Sequence, residues 1–165
     1  MKEILEQLSV YNLWANERIV KAVCSLPEEK LLTRIPSSFP SVHYTLLHMW
    51  DAESIWWQRL KLSENVIPPA KNFAGETRDI GAALLHQNML WRNWVQAARP
   101  IAIDHVLLYK NSRQQQFKQP VYEILTHMFN HGTYHRGQIV TLLHHLDFQS
   151  IPATDFIVWS RTLKK

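Results

Sequence analysis

Apolar side chains recur at three- and four-residue spacing through four long stretches of the chain, the period of an amphipathic helix. The first, at about 2–26, places Leu8, Tyr11, Ala15, Ile19 and Ala22 on one stripe, and Pro27 ends it. The second, at about 42–62, follows the loop sequence TRIPSSFPS, with Ser41 placed to cap it. The third, at about 78–99, turns Ile80, Leu84, Trp91 and Val95 inward; Thr77 is its candidate cap, and Pro100 lies just beyond. The fourth carries Pro120 in its first turn and runs to about residue 146, with Ile124, Met128 and Leu142 on one face. Between the second and third, SENVIPPAKNFAGE is long enough for the third helix to start at either end of a bundle. The period changes after the third helix. There HVLLY and QQQF flank KNSR, which predicts a short β-hairpin that must lie against the helices to be stable. IPATDFIVW predicts a final turn of helix capped by Thr154. Four amphipathic helices in one chain point to an all-α four-helix bundle, a single domain over 1–165.

Composition narrows the class. Hydrophobic residues make up 46% of the 165 and charged residues 19%, the balance of a globular protein with a sizeable core. No run approaches the roughly 20 apolar residues of a membrane span. The opening MKEILEQLSVYNLW has no signal-peptide core and reads as cytoplasmic. Cys24 is alone, so no internal disulfide forms; at the end of an apolar helix face it reads as a small buried side chain. The formal charge is +4, but Lys and Arg are scattered, and the only adjacent pair is Lys164–Lys165. A nucleic-acid groove would need that charge gathered on one surface.

The candidate chemistry lies in HMFNHGTYHRGQIVTLLHH, which holds five of the nine histidines. His131 and His135 are one helical turn apart on the same face as Ile124, Met128, Gln138 and Leu142. Burying such imidazoles without partners would cost about 1–3 kcal/mol for each unpaired group. A divalent cation removes that cost by taking one nitrogen from each ring, the other nitrogen being oriented by a neighbour. A third ligand must come from elsewhere. His48, in HYTLLHMWDAESIWW, shares a stripe with Tyr44, Ala52, Ile55 and Arg59 and is the best candidate. His127 competes, but three successive i, i+4 ligands would spread over about 12 Å of one helix, too far for metal–nitrogen bonds near 2 Å. His48, His131 and His135 are therefore assigned as metal ligands, and His127 as a pocket wall or a brace for a ligand. His43, in a first turn, reads as solvent-facing, and His86, His105, His144 and His145 as surface or helix-end residues. The tryptophans at 50, 56, 57, 91 and 94 read as core and pocket wall. Asp51 could approach the cleft, whereas Glu53 points away as a surface or interhelical charge. Arg136 and Gln138 suit packing or hydrogen bonding. No general base is assigned.

SVHYTLLHMWDAESIWWQRL, followed far downstream by HMFNHGTYHRGQIVTLLHHLDFQSIPATD, resembles the DinB family of bacterial damage-inducible proteins, within a superfamily of DinB- and YfiT-like metalloenzymes. The resemblance runs from YNLWANERI through TDFIVW, and its most specific piece is FNHGTYHRGQ. Many members carry His where this chain has Tyr134, a position that is not a usual ligand. The family's upstream histidine matches His48 and its downstream pair matches His131 and His135. The resemblance implies a bundle with a long crossover between the second and third helices, commonly dimeric. It also implies metal-dependent chemistry, since relatives include thiol-dependent S-transferases, a thiol-dependent isomerase and hydrolases.

Three ligands and an open position make a catalytic type of site. Imidazole suits Zn²⁺, Ni²⁺ and Fe²⁺ alike, so the divalent metal ion is not identified by its ligands. The expected function is a metal-dependent enzyme that transfers a low-molecular-weight thiol to a small electrophilic substrate, or hydrolyses it. The alternative is a non-catalytic metal- or ligand-binding bundle of the stress response. A homodimer is expected, and neither nucleic acid nor membrane is expected as a partner.

Overall fold

A computed structural model describes residues 1–163; the Lys164–Lys165 pair lies outside the described residues. Four long helices carry the fold: α1 (Lys2–Val23), α3 (Val42–Leu60), α4 (Thr77–Ala97) and α6 (Val121–His145). Between them lie the short helices α2 (Glu28–Leu31) and α5 (Pro100–Asp104), a 3-10 turn (Pro69–Lys71), and the antiparallel strands β1 (Val106–Lys110) and β2 (Gln116–Pro120); α7 (Phe156–Thr162) follows α6. None of the described helices is long and apolar enough to cross a membrane.

The four long helices pack as a square, with α1 and α3 each against both α4 and α6. Their directions follow from which residues meet. His43 meets Thr77 and Trp57 meets Trp91, so α3 and α4 run parallel. Asn12 meets Gly132 and Asn16 meets Arg136 in the parallel pair α1 and α6, while His48 meets His135 and Trp56 meets His127 in the antiparallel pair α3 and α6. Two consecutive parallel helices require the connection 61–76 to climb the length of the bundle. It does so along the outer face of α3. Gln58 holds Ile67 through two hydrogen bonds, Asp51 accepts the Ala70 N–H at 2.8 Å, and Trp50 packs edge-on against Phe73.

Local chemistry sets the helix ends, at several points differently from the expectation. Ser41 caps α3 as expected, accepting the Tyr44 N–H. That helix stops at Leu60, and Leu62 turns to a positive φ of 55°. Glu76, not Thr77, caps α4, in a capping box with Asp79. Thr77 is instead fully buried, and its hydroxyl donates to Glu28 at 2.8 Å. Pro120 ends β2 in an extended conformation one residue before α6, where its missing N–H costs nothing. Asp155 stands in the cap position of α7; Thr154 gives only its carbonyl, which accepts the Tyr11 hydroxyl at 2.7 Å. The hairpin forms where the sequence predicts it, with Asn111 turning the chain by accepting from the N–H groups of Arg113 and Gln115. Cys24 is a correction. It sits just past the last turn of α1 with its side chain exposed, because Ala22 and Val23 take the inward positions.

Two apolar clusters fill the bundle. One gathers around Ile19, Leu46, Met49, Leu84, Ile139 and Leu142, the other around Leu5, Trp91, Leu125, Met128 and Phe129. At mid-height runs a buried polar ring with a member from every long helix. Arg136 donates to Asn12 and Asn16 at 2.7 and 2.9 Å, Asn16 donates to Asn88, and both Asn88 and Asn12 donate to the Glu53 carboxylate. Glu53 is thus no surface charge; at 3% exposure it is the interhelical alternative, carried inside.

Candidate metal centre

His48 reaches the α3–α6 seam because the helix turns Leu46 and Met49 to the core and Trp50 and Asp51 to the crossover, leaving the His48 stripe opposite α6. His131 and His135 project from α6 one turn apart. Their ring nitrogens converge. His131 Nε2 lies 3.2 Å from His48 Nε2 and 2.9 Å from His135 Nε2, and the candidate ligand atoms of all three rings lie within 4.8 Å of one another.

Tautomer and charge both suit a cation. His135 Nδ1 lies 2.7 Å from the Gln138 carbonyl oxygen, a pure acceptor, so the proton of the neutral ring sits on Nδ1. Its Nε2 then presents a lone pair to the cluster. Gln138 is itself oriented, its amide donating to Ser38 Oγ at 3.0 Å and to the Tyr134 hydroxyl at 3.1 Å. Burial lowers the pKa of His48 and His131 to about 4, with the neighbouring rings adding to the effect, and burial lowers that of His135 as well. All three are neutral at pH 7. Neutral imidazoles crowded to 2.9–3.2 Å cannot all be satisfied by one another, because a shared Nε2 holds at most one proton. A divalent ion that accepts three lone pairs resolves the conflict, so the residues present fit the group.

The walls come partly from positions that the helical pattern does not mark. Phe39 stacks on the His48 ring at 4.2 Å and meets His135 edge-on, so the loop before α3 closes over the cluster. Neither Ser38 nor Phe39 lies on a helix, and loop residues have no period that could have flagged them. His127 is exposed, its ring 5.6 Å from His131 and 5.8 Å from Trp56, so it flanks the cluster as a wall.

Other candidates lie elsewhere. Asp51 does not approach the cleft; its carboxylate is committed to Ala70 in the crossover, and burial raises its pKa. His43 is not solvent-facing. It is buried with Nδ1 2.8 Å from Thr77 Oγ1 and 3.4 Å from Glu28, because the parallel course of α3 and α4 sets their first turns side by side. His86, His105, His144 and His145 are exposed. Among the described residues, no fourth histidine, cysteine or carboxylate joins the three.

Comparison with known proteins gives one consistent picture. The DinB family matches the chain over residues 1–157. Protein DinB of Bacillus subtilis (strain 168) is 29% identical over 167 residues, covering 94% of this chain and 93% of that protein. The crystal structure of a DinB-like protein from Bacillus cereus ATCC 10987 superimposes with a TM-score of 0.64 at 16% identity, covering 84% of this chain and 89% of that one. At that identity the likeness is one of fold.

Proposed function

The chain belongs to the DinB family, and we propose that it is a metal-dependent enzyme in which His48, His131 and His135 hold one divalent ion, Zn²⁺, Ni²⁺ or Fe²⁺, beside a small electrophilic substrate. The observation that carries this reading is the convergence of three neutral imidazoles from two helices, one of them with its tautomer set by Gln138. Three protein ligands leave open positions at which a divalent ion supplies Lewis acidity and lowers the pKa of a thiol or water brought to it.

A low-molecular-weight thiol is the nucleophile we favour. Water would call for a base to take its proton, and the nearby carboxylates are engaged: Asp51 by Ala70, and Glu53 by Asn12 and Asn88. A thiol, with an ordinary pKa of about 8.5, needs far less help to ionise. In this reading Gln138 keeps the His135 proton on Nδ1, Phe39 shields His48 from bulk water, and the aromatic walls position the substrate so that binding supplies most of the rate.

Elemental analysis of untagged protein tests the site. About one divalent ion per chain is expected, lost in His131→Ala or His135→Ala and kept in His144→Ala. Loss in His144→Ala as complete as in His131→Ala would overturn the assignment. Turnover of an electrophile panel with and without added thiol tests the chemistry. Thiol consumption that stops in folded His48→Ala is expected, cleavage without thiol would identify a hydrolase, and activity unchanged by complete metal removal would reject both.

A further inference from the structure

Below the histidines, where α3 ends, a cavity of about 810 Å³ opens between α3, the crossover and the hairpin. That is the size of a small-molecule pocket. Its most unusual side chain is Arg59. The guanidinium carbon lies 4.6 Å from the Trp56 ring centre and 5.1 Å from that of Tyr109, and the two rings meet edge-on at 4.9 Å, so the group packs against one side of an aromatic pair. Its Nε is buried and has no hydrogen-bond partner, and no carboxylate among the described residues pairs with it. Burial also pulls its pKa below the ordinary value. A guanidinium packed on aromatic rings in the wall of an empty space, with no hydrogen bond or ion pair among the described residues, is arranged for an acceptor that the chain itself does not provide. Lys71 and Lys110 line the same cavity, opposed by only one acidic side chain, Glu64.

The place of Arg59 along α3 connects this cavity with the metal centre. Arg59 follows His48 by eleven residues, which is three turns and about 20° of rotation, so it lies on the same stripe about 16 Å further along the axis. Ile55, also in the cavity lining, stands between them. The wall is continuous as well, since Trp56 touches both Tyr109 and His127, and His127 flanks His131.

We propose that this cavity is an oxyanion subsite, in which Arg59 binds the carboxylate or phosphate at one end of an elongated small molecule whose other end reaches along α3 to the histidines. The part about the far end rests on the metal-centre reading; the oxyanion subsite does not. The fork of guanidinium donors matches two oxygens of either group. Tyr109, Ile55 and Leu108, which line the cavity, offer apolar surface to the chain of atoms behind the charge.

The test is a titration of the metal-loaded protein with hexanoate, hexyl phosphate and the neutral hexanamide, followed by the Arg59 Nε–H and Trp56 indole N–H signals in NMR spectra. At least one anion should shift both signals at concentrations tenfold or more below those hexanamide requires, and which anion does so identifies the group. The preference should vanish in Arg59→Gln and weaken in Arg59→Lys, with metal content unchanged in both. It should persist in His48→Ala, so that failure of the metal site and failure of the subsite give different results. Equal titration by the anions and the amide would overturn the proposal, as would an undiminished preference in folded Arg59→Gln. Should Arg59→Gln not fold, the wild-type Nε–H titration decides alone.

Discussion

Gln138 touches His135 and no other imidazole, which isolates its contribution. Replacing it with Leu frees the Nδ1 proton to move to Nε2, where it competes with a metal for the lone pair. Loss of such an orienting partner costs about 10–100-fold in metal affinity, so Gln138→Leu should lose the ion to a competing chelator at correspondingly lower chelator concentration while its circular dichroism is unchanged. Affinity equal to wild type would show that the tautomer is set by something else. Glu53 gives a prediction of another kind. Full burial raises its pKa from 4.5 to about 7, and the bonds from Asn12 and Asn88 only partly offset this. A carboxyl raised in the folded state binds more protons than in the unfolded chain, so its contribution is complete below pH 4.5 and declines as pH rises to 7. Relative to Glu53→Gln, the metal-free protein should therefore lose on the order of 3 kcal/mol between those pH values, read from urea midpoints. The histidines titrate in both proteins and cancel in the comparison; a parallel pair of curves would contradict the raised pKa. These two residues also show what a sequence discloses at this scale. His131 and His135 were legible because one turn of helix relates them, and His48 because it shares a helical stripe with the half-buried Ala52, Ile55 and Arg59. Glu53 was not, because 140° of rotation from His48 looks like the solvent side of a two-sided helix. In this square, α3 faces α6 on one side and α4 on another, so its buried arc is wide enough to include both residues.

At the level of elements, α1 and α6 approach closely at Gly132, and the reason is the polar ring. A Cβ there would stand 2.8 Å from the Asn12 oxygen and 3.2 Å from an Arg136 nitrogen, two atoms already bonded to each other. Alanine would gain about 1 kcal/mol of helix propensity but displace a buried charge-assisted bond whose loss costs about 1–3 kcal/mol or more. The second effect should win. Gly132→Ala is expected to lower the urea midpoint without changing its slope, and a midpoint at or above wild type would mean that Asn12 moves aside freely. The four long helices were legible from period alone, with α1, α3 and α4 each ending two or three residues early and the α4 cap falling one residue before the expected Thr77. Helices α2 and α5, of four and five residues, are too short to carry a period. The parallel course of α3 and α4 was not legible in the period, since a linker of that length permits both directions; only the family resemblance, with its long crossover, implies it. That course is what buries His43 and Thr77 together, and the same ambiguity explains why His43 reads as exposed in sequence.

For the molecule as a whole, the three histidines make the proposed ion a tie between two helices. His48 stands 83 residues before His131 and reaches it only when α3 and α6 are packed. An unfolded chain retains the His131–His135 pair, four residues apart, but not the third ligand in place. The ion therefore binds the folded state more tightly, and linkage converts that difference into stability, about 4 kcal/mol when free metal is at a thousand times the dissociation constant. For a chain of 165 residues, each kcal/mol moves the melting temperature by about 2–4 °C, so chelation should lower Tm by roughly 10 °C. Residual binding by the unfolded pair reduces the figure without changing its sign. His48→Ala deletes the ligand that requires the fold, so its Tm should respond little to metal or chelator. His144→Ala should respond as wild type does. Calorimetry on the four combinations of wild type and His48→Ala, with metal and with chelator, measures the coupling directly. A shift of the same size in both proteins would place the stabilising ion somewhere other than the α3–α6 seam.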